Sequence, residues 1–205
     1  MLIAYIHGFL SGSAAVKATQ LREYLRGRPG MDFRAPDFPD TPREAWQALC
    51  AFCDEVHATA PGFCLVGSSM GGFFATLLQC RYGCPVALIN PCIHPQDYFA
   101  SLVGPHVNPV TGAHFELRHD MLDFLAELDR QAADYLPGRT LVLLQSGDEV
   151  LDYRRALDFY ARSTIVLSEG GCHAYENFPE RLPRIVEFFA AVQGGEVTPA
   201  GVTTE

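Results

Sequence analysis

The chain has 205 residues, 48% apolar and 19% charged, which suits one globular domain with a substantial core. Its formal net charge of −9 and pI near 5.2, with no run of Lys and Arg, argue against a nucleic-acid-binding protein. No apolar stretch is long enough to span a bilayer, and the opening MLIAYIHGF lacks the basic start and cleavage site of a signal peptide, so a cytoplasmic protein is expected.

The first element, LIAYI (2–6), reads as a buried strand. SAAVKATQLREYLRGR (13–28) has helical periodicity, with Ser13 the expected N-cap and Pro29-Gly30 the stop. DFRAPDF (32–38) is a short strand. In the helix that follows, TPREAWQALCAFCDEVHATA, residues Trp46, Leu49, Cys50, Cys53 and Val56 share one face. Cys50 and Cys53 therefore read as core residues; no βα turn precedes the pair and no second pair follows, as redox or zinc chemistry would want. Seven cysteines without an export signal point to reduced thiols.

FCLVGS (63–68) is the next strand, then a helix from Met70 to about Tyr82, then the strand PVALIN (85–90). Residues 91–120 break the rhythm as a loop-rich, lid-like insert, of a length that is often functional in a compact domain. TLVLLQS (140–146), a helix over 153–162, STIVLSEG (163–170) and a last helix from about Pro179 to Val192 complete the pattern. The tail, 194–205, has little to bury and is expected to be disordered. Strands rich in Val, Ile and Leu without alternation are buried on both faces, the mark of a parallel sheet covered by helices. The expected fold is a single doubly wound α/β domain over residues 1–193, with about six mainly parallel strands.

The stretch FCLVGSSMGGFFATLLQ (63–79) carries the chemistry. Gly67-Ser68-Ser69-Met70-Gly71 fits G-x-S-x-G only with Ser69 at the centre, on a strand-to-helix turn that lifts its hydroxyl above the sheet edge. A serine needs a base, and the base an orienting acid, following in the order Ser, Asp or Glu, His. His173, in the glycine-rich turn after the last strand, is the candidate base. Asp148, straight after TLVLLQSG, is the candidate acid, with Glu149 and Asp152 as rivals, Asp152 being better placed to cap the next helix. Two backbone N–H groups must face the developing oxyanion: that of Met70 and one from the loop after the first strand, Phe9 before Leu10. His7 is taken to order that loop.

Beyond these signals the sequence resembles the α/β-hydrolases, and within them the small bacterial YqiA-like esterases. The resemblance rests on YIHGF (5–9), LVGSSMGGFFAT (65–76), INP (89–91), NPVTGAHFEL (108–117), LLQSGDEVLDYRRA (143–156) and GGCHAY (170–175). It implies a cytoplasmic serine esterase acting on acyl esters, with acyl-CoA thioesters as the alternative substrate, and with Ser69, Asp148 and His173 as nucleophile, acid and base. Cys172 beside the base, where a polar or small residue is expected, and the tail beyond 193 depart from the pattern.

The expected function is thus hydrolysis of a small-molecule acyl ester through an acyl-enzyme, without cofactor or metal. Tyr98, Phe99 and Phe115 of the insert could line an acyl pocket or pack the insert onto the sheet. A thioesterase would use the same groups, with a basic patch for CoA to which Arg118, Arg154 and Arg155 are weak candidates. A non-catalytic ligand-binding module on this fold is a further alternative, though such proteins typically lose a triad member. Metal chemistry on His114 and His119 is disfavoured because residues five apart do not share a helical face.

Overall fold

The computed structural model describes residues 1–196 and 199–205. Strands β1 (Leu2–Ile6), β2 (Asp32–Arg34), β3 (Cys64–Ser68) and β4 (Val86–Ile89) form half of a sheet; β7 (Thr140–Gln145), β8 (Thr164–Ser168) and β9 (Gly201–Thr204) form the rest. Their order among the described residues is β2-β1-β3-β4-β7-β8-β9, and every neighbouring pair is parallel. Because side chains alternate along a strand, each one feeds two cores. Ala4 and Ile6 of β1 face helices α2 (Pro42–Thr59), α3 (Met70–Tyr82) and α5 (His119–Ala132). Ile3 and Tyr5 face α1 (Val16–Leu25) and α7 (Leu182–Gln193) on the other side. The doubly wound α/β reading holds, and the central strands are buried on both faces as their composition requires.

Helix α3 is apolar nearly all round because it lies between the sheet, α2 and α5. Its one fully buried amide, Gln79, is satisfied: Nε2 donates to Arg139 O at 3.0 Å and Oε1 accepts from Leu136 N at 2.9 Å, tying α3 to the entrance of β7. In α2, Cys53 is fully buried and burial pushes its thiol pKa up to about 12, as a packing residue demands.

Four expectations change. Ser13 does not cap α1; Ala15 precedes the helix, and Ser13 instead gives its N–H and hydroxyl to Asp37, at 2.6 and 2.8 Å. That contact joins the loops after β1 and β2, a tertiary demand that outweighs the local one. β2 stops at Arg34, before Pro36, which has no N–H for a ladder. The insert is ordered as α4 (Pro95–Phe99), a short 3₁₀ turn and an antiparallel hairpin of β5 (Gly104–Val107) and β6 (His114–Leu117). Last, Gly201–Thr204 adds a seventh strand, where no element was expected in 194–205; residues 197 and 198 lie outside the described residues. Glu205 secures that edge by an ion pair with Arg181 and by its N–H to Leu167 O at 2.9 Å. A strand of threonine and valine needs no buried side chain to pair along an open edge, so hydropathy patterning does not flag it.

Candidate active site

The parallel sheet brings the carboxyl ends of β1, β3, β4, β7 and β8 to one edge, where sites of open α/β sheets form. Ser69 stands between β3 and α3 with φ 56° and ψ −123°, a region that costs a non-glycine residue roughly 1–3 kcal/mol. Its neighbours hold it there. Ser69 N–H donates to Ile89 O at 3.0 Å, and Ser69 O accepts from Gly72 N at 2.9 Å and Cys92 N at 3.0 Å. A Cβ on Gly71 would overlap the carbonyl oxygens of Ile6 and His7, and one on Gly72 would come within 2.8 Å of Pro91 Cβ. The glycines of the turn are there for close approach of backbone to backbone.

Ser69 Oγ lies 3.0 Å from His173 Nε2, and His173 Nδ1 lies 2.8 and 3.0 Å from the two oxygens of Asp148. The Asp148 side chain is 2% exposed and that of His173 20%, so this chain of groups runs from the interior to the floor of a groove. Asp148 Oδ1 also accepts the N–H groups of Val150 (2.9 Å) and Leu151 (2.8 Å), which lock the carboxylate's aim. Asp152 caps α6 (Tyr153–Phe159), accepting from Arg154 N at 3.1 Å, and takes no part in the chain. Glu149 contacts His173 differently from a triad acid: its Oε2 accepts the backbone N–H of His173 at 2.9 Å, a bond that holds its carboxyl pKa below the usual value.

Two residues without a role in the sequence reading complete the support of the histidine loop. Asn90, at the end of β4 with φ 40°, donates from Nδ2 to Cys172 O (3.1 Å) and His173 O (3.2 Å), and its Oδ1 accepts from Gln145 N (3.0 Å). Gln145, the last residue of β7, accepts from Cys172 N (3.1 Å) and Glu176 N (2.8 Å) and donates to Glu176 O (3.0 Å). Both are buried. The available signal was a polar residue ending an apolar strand at the edge where the site assembles.

The loop after β1 passes against Ser69: a Cβ on Gly8 would lie 3.3 Å from Ser69 Cβ and 3.7 Å from Ser69 Oγ. His7 is buried, stacks on Phe38 with ring centroids 3.9 Å apart, and its Nδ1 lies 2.9 Å from Gly8 O, consistent with the ordering role expected of it. Phe9 and Met70 line a narrow apolar cleft with Gly8, Phe38, Phe74 and Phe99. Phe99 and Phe115 pack edge-on against Phe9, at 4.8 and 5.8 Å, so the insert is built onto the residue that offers the candidate N–H. Tyr98 lies apart, in a cleft with Arg155 and Asp152.

Ser69 and His173 line a larger groove of about 570 Å³ between the α1 entrance and the histidine loop, which adjoins the narrow apolar cleft, shares Gly8 and Phe9 with it, and is lined also by Val16, Lys17, Val110 and Glu176. Arg118, Arg154 and Arg155 are not among its lining residues. Each is paired with a carboxylate, Asp120 (3.0 Å), Asp152 (3.3 Å) and Asp97 (2.5 Å) respectively, so they form no common patch at the groove. His114 and His119 are exposed on the hairpin and at the start of α5. Among the described residues no group of three or more His, Cys, Asp or Glu is arranged to hold a metal, and no helix is long and apolar enough to cross a membrane.

A family model described as an uncharacterised protein family, UPF0227, matches residues 1–190. Among solved structures, the chain is similar to alpha/beta hydrolase domain-containing protein 10 from mouse (TM-score 0.72, 16% identity, covering 93% of this chain and 90% of that one). It is similar also to Est1E from Butyrivibrio proteoclasticus (0.71, 18%, 95% and 88%) and to the Pyrococcus furiosus esterase Pf2001 (0.63, 17%, 92% and 80%). At such identities these likenesses establish the α/β-hydrolase fold.

Proposed function

We propose that the protein is a serine esterase, starting from the fact that the chain belongs to the UPF0227 family and has the α/β-hydrolase fold. The observation that carries the reading is the unbroken chain from Ser69 Oγ through the His173 ring to the buried Asp148 carboxylate, at 3.0 and 2.8 Å. Support comes also from the strained backbone of Ser69, which turns its hydroxyl into the groove at the cost of local stability.

Asp148 accepts from Nδ1–H of His173 and so leaves Nε2 as the acceptor for the Ser69 hydroxyl proton. Ser69 Oγ attacks the acyl carbonyl while His173 takes the proton. The N–H groups of Phe9 and Met70 receive the oxyanion, in keeping with Gly8 passing beside Ser69 and with Met70 opening α3, where the helix dipole favours negative charge. Collapse expels the alcohol, protonated by His173. Water, deprotonated by the same ring, then releases the acid and restores Ser69. Asn90, Gln145 and Glu149 hold the histidine loop at this geometry. The esterases among the structural neighbours are in keeping with this chemistry.

The test is labelling by a fluorophosphonate probe together with p-nitrophenyl ester hydrolysis. Label and turnover are expected in the wild type and in Ser68→Ala, and in neither assay for Ser69→Ala. A folded wild type that takes no label and hydrolyses no ester would overturn the reading in favour of a binding module.

A further inference from the structure

Lys17 is the only lysine in the chain; every other member of the 15 Lys and Arg is an arginine. It sits in the first turn of α1, half-buried, and lines the same groove as Ser69 and His173. Its Nζ donates to Ala174 O at 2.8 Å, the carbonyl of the residue after the candidate base. An ammonium has three N–H donors, and this is the one protein hydrogen bond it makes among the described residues. It has no carboxylate partner there, although surface arginines such as Arg118, Arg154 and Arg155 each have one. Glu176 lines the groove as well, but it is exposed and makes no ion pair with Lys17. Burial lowers the Lys17 pKa, with the nearby Cys172 thiol acting in the opposite sense.

An acidic protein that keeps one unpaired ammonium beside the reacting groups has a place for a negative charge there. The apolar cleft by Phe9 and Met70 is far smaller than the groove, and a substrate half lying in the groove shares it with Lys17. We infer that Lys17 is a specificity-determining residue that selects esters carrying an anionic group, a carboxylate or a phosphate, on the part of the substrate lying in the groove. This deepens the esterase reading and rests on it. Two donors remain to bind the anion while the third keeps the histidine loop docked, and charge-assisted bonds of this kind are among the stronger ones. The other lining side chains are apolar ones such as exposed Val16 and Val110, the neutral polar Ser11, Gln20 and Asn177, and exposed Glu176, so Lys17 is the one cation of the groove outside the His173 ring.

The experiment compares kcat/KM for matched ester pairs. One pair carries the charge on the acyl half (mono-p-nitrophenyl glutarate against its methyl ester), another on the alcohol half (4-acetoxybenzoate against its methyl ester). A third substrate, 4-acetoxyphenyl phosphate, separates phosphate from carboxylate. The expected result is an anionic preference of about tenfold or more in at least one arm, in line with a charge-assisted hydrogen bond. Lys17→Met should abolish that preference and Lys17→Arg should keep most of it. Because the chain has one lysine, and the other amine, that of Met1, bonds to Gly30 O and does not line the groove, wild-type protein offers a second measurement independent of any folding defect. Acetylation, which removes the charge, should collapse the ratio, and reductive methylation, which keeps it, should not. Hydrolysis of both members of every pair at equal rates, or a ratio unmoved by Lys17→Met and by acetylation, overturns the inference and leaves the esterase reading intact. A folded wild type that hydrolyses no ester takes down both.

Discussion

Asn90 offers the sharpest test of how the histidine loop is held. Replacing it with alanine removes three hydrogen bonds: two donated to the carbonyls of Cys172 and His173 and one accepted from Gln145 N. The Gln145 N–H is then buried without a partner, which costs about 1–3 kcal/mol, and the two part-buried carbonyls add about 0.5 kcal/mol each. Asn90 has φ 40°, in the left-handed region, where alanine is worse by about 1 kcal/mol. Asn90→Ala should therefore lose about 3–5 kcal/mol and Asn90→Gly, which tolerates that φ, about 2–4 kcal/mol. With the loop's carbonyls released, His173 drifts from Ser69, and kcat on a p-nitrophenyl ester should fall about 10–100-fold in both variants, equivalent to about 1.4–2.8 kcal/mol of barrier. Urea titrations give the stabilities and steady-state kinetics the rates. If Asn90→Gly unfolds at the wild-type urea midpoint and turns over at the wild-type rate, the side chain does not anchor the loop and this reasoning is wrong.

Gly71→Ala should be disproportionately harmful for a single methyl, because the atoms in its way are the backbone carbonyls of Ile6 and His7 and not yielding side-chain ends. A loss of about 3 kcal/mol, seen as a melting point lower by about 6–12 °C, is expected, with a comparable drop in turnover as the Ser69 turn shifts. A variant melting within 2 °C of wild type would show that the turn can relax freely. Burial lowers the pKa of His7 below its ordinary value near 6.5, outweighing the Gly8 bond and the Asp37 and Asp40 carboxylates, which raise it. Below about pH 6.5 the unfolded chain binds the proton more readily than the folded one, so this histidine's contribution is complete above that pH and is lost as the pH falls through the depressed value. His7→Gln should flatten the loss of stability between pH 7.5 and 5.5 in urea titrations; an unchanged slope would exonerate His7.

Much of this protein is written locally. The apolar runs at 2–6, 63–68, 85–90, 140–146 and 163–170 each need two covering layers, so they announce a parallel sheet before any contact is known. The G-x-S-x-G spacing singles out Ser69 over Ser68, and the position of Asp148 and His173 after successive strands puts them at one sheet edge. What the sequence could not decide were bonds between segments far apart in the chain. Asn90 and Gln145 look like ordinary strand ends until the fold sets them under the histidine loop, 82 and 27 residues from Cys172. Ser13 prefers Asp37 to its own helix, and the strand at 201–204 exists because β8 presents a free edge with open N–H and C=O groups. Lys17 reads as one polar position on a helix; only the fold brings it onto Ala174 O of the histidine loop and into the groove that Ser69 also lines. Short-range patterning selects elements because burial is periodic along a chain, whereas the polar contacts that tune a site depend on which chain ends the fold brings together.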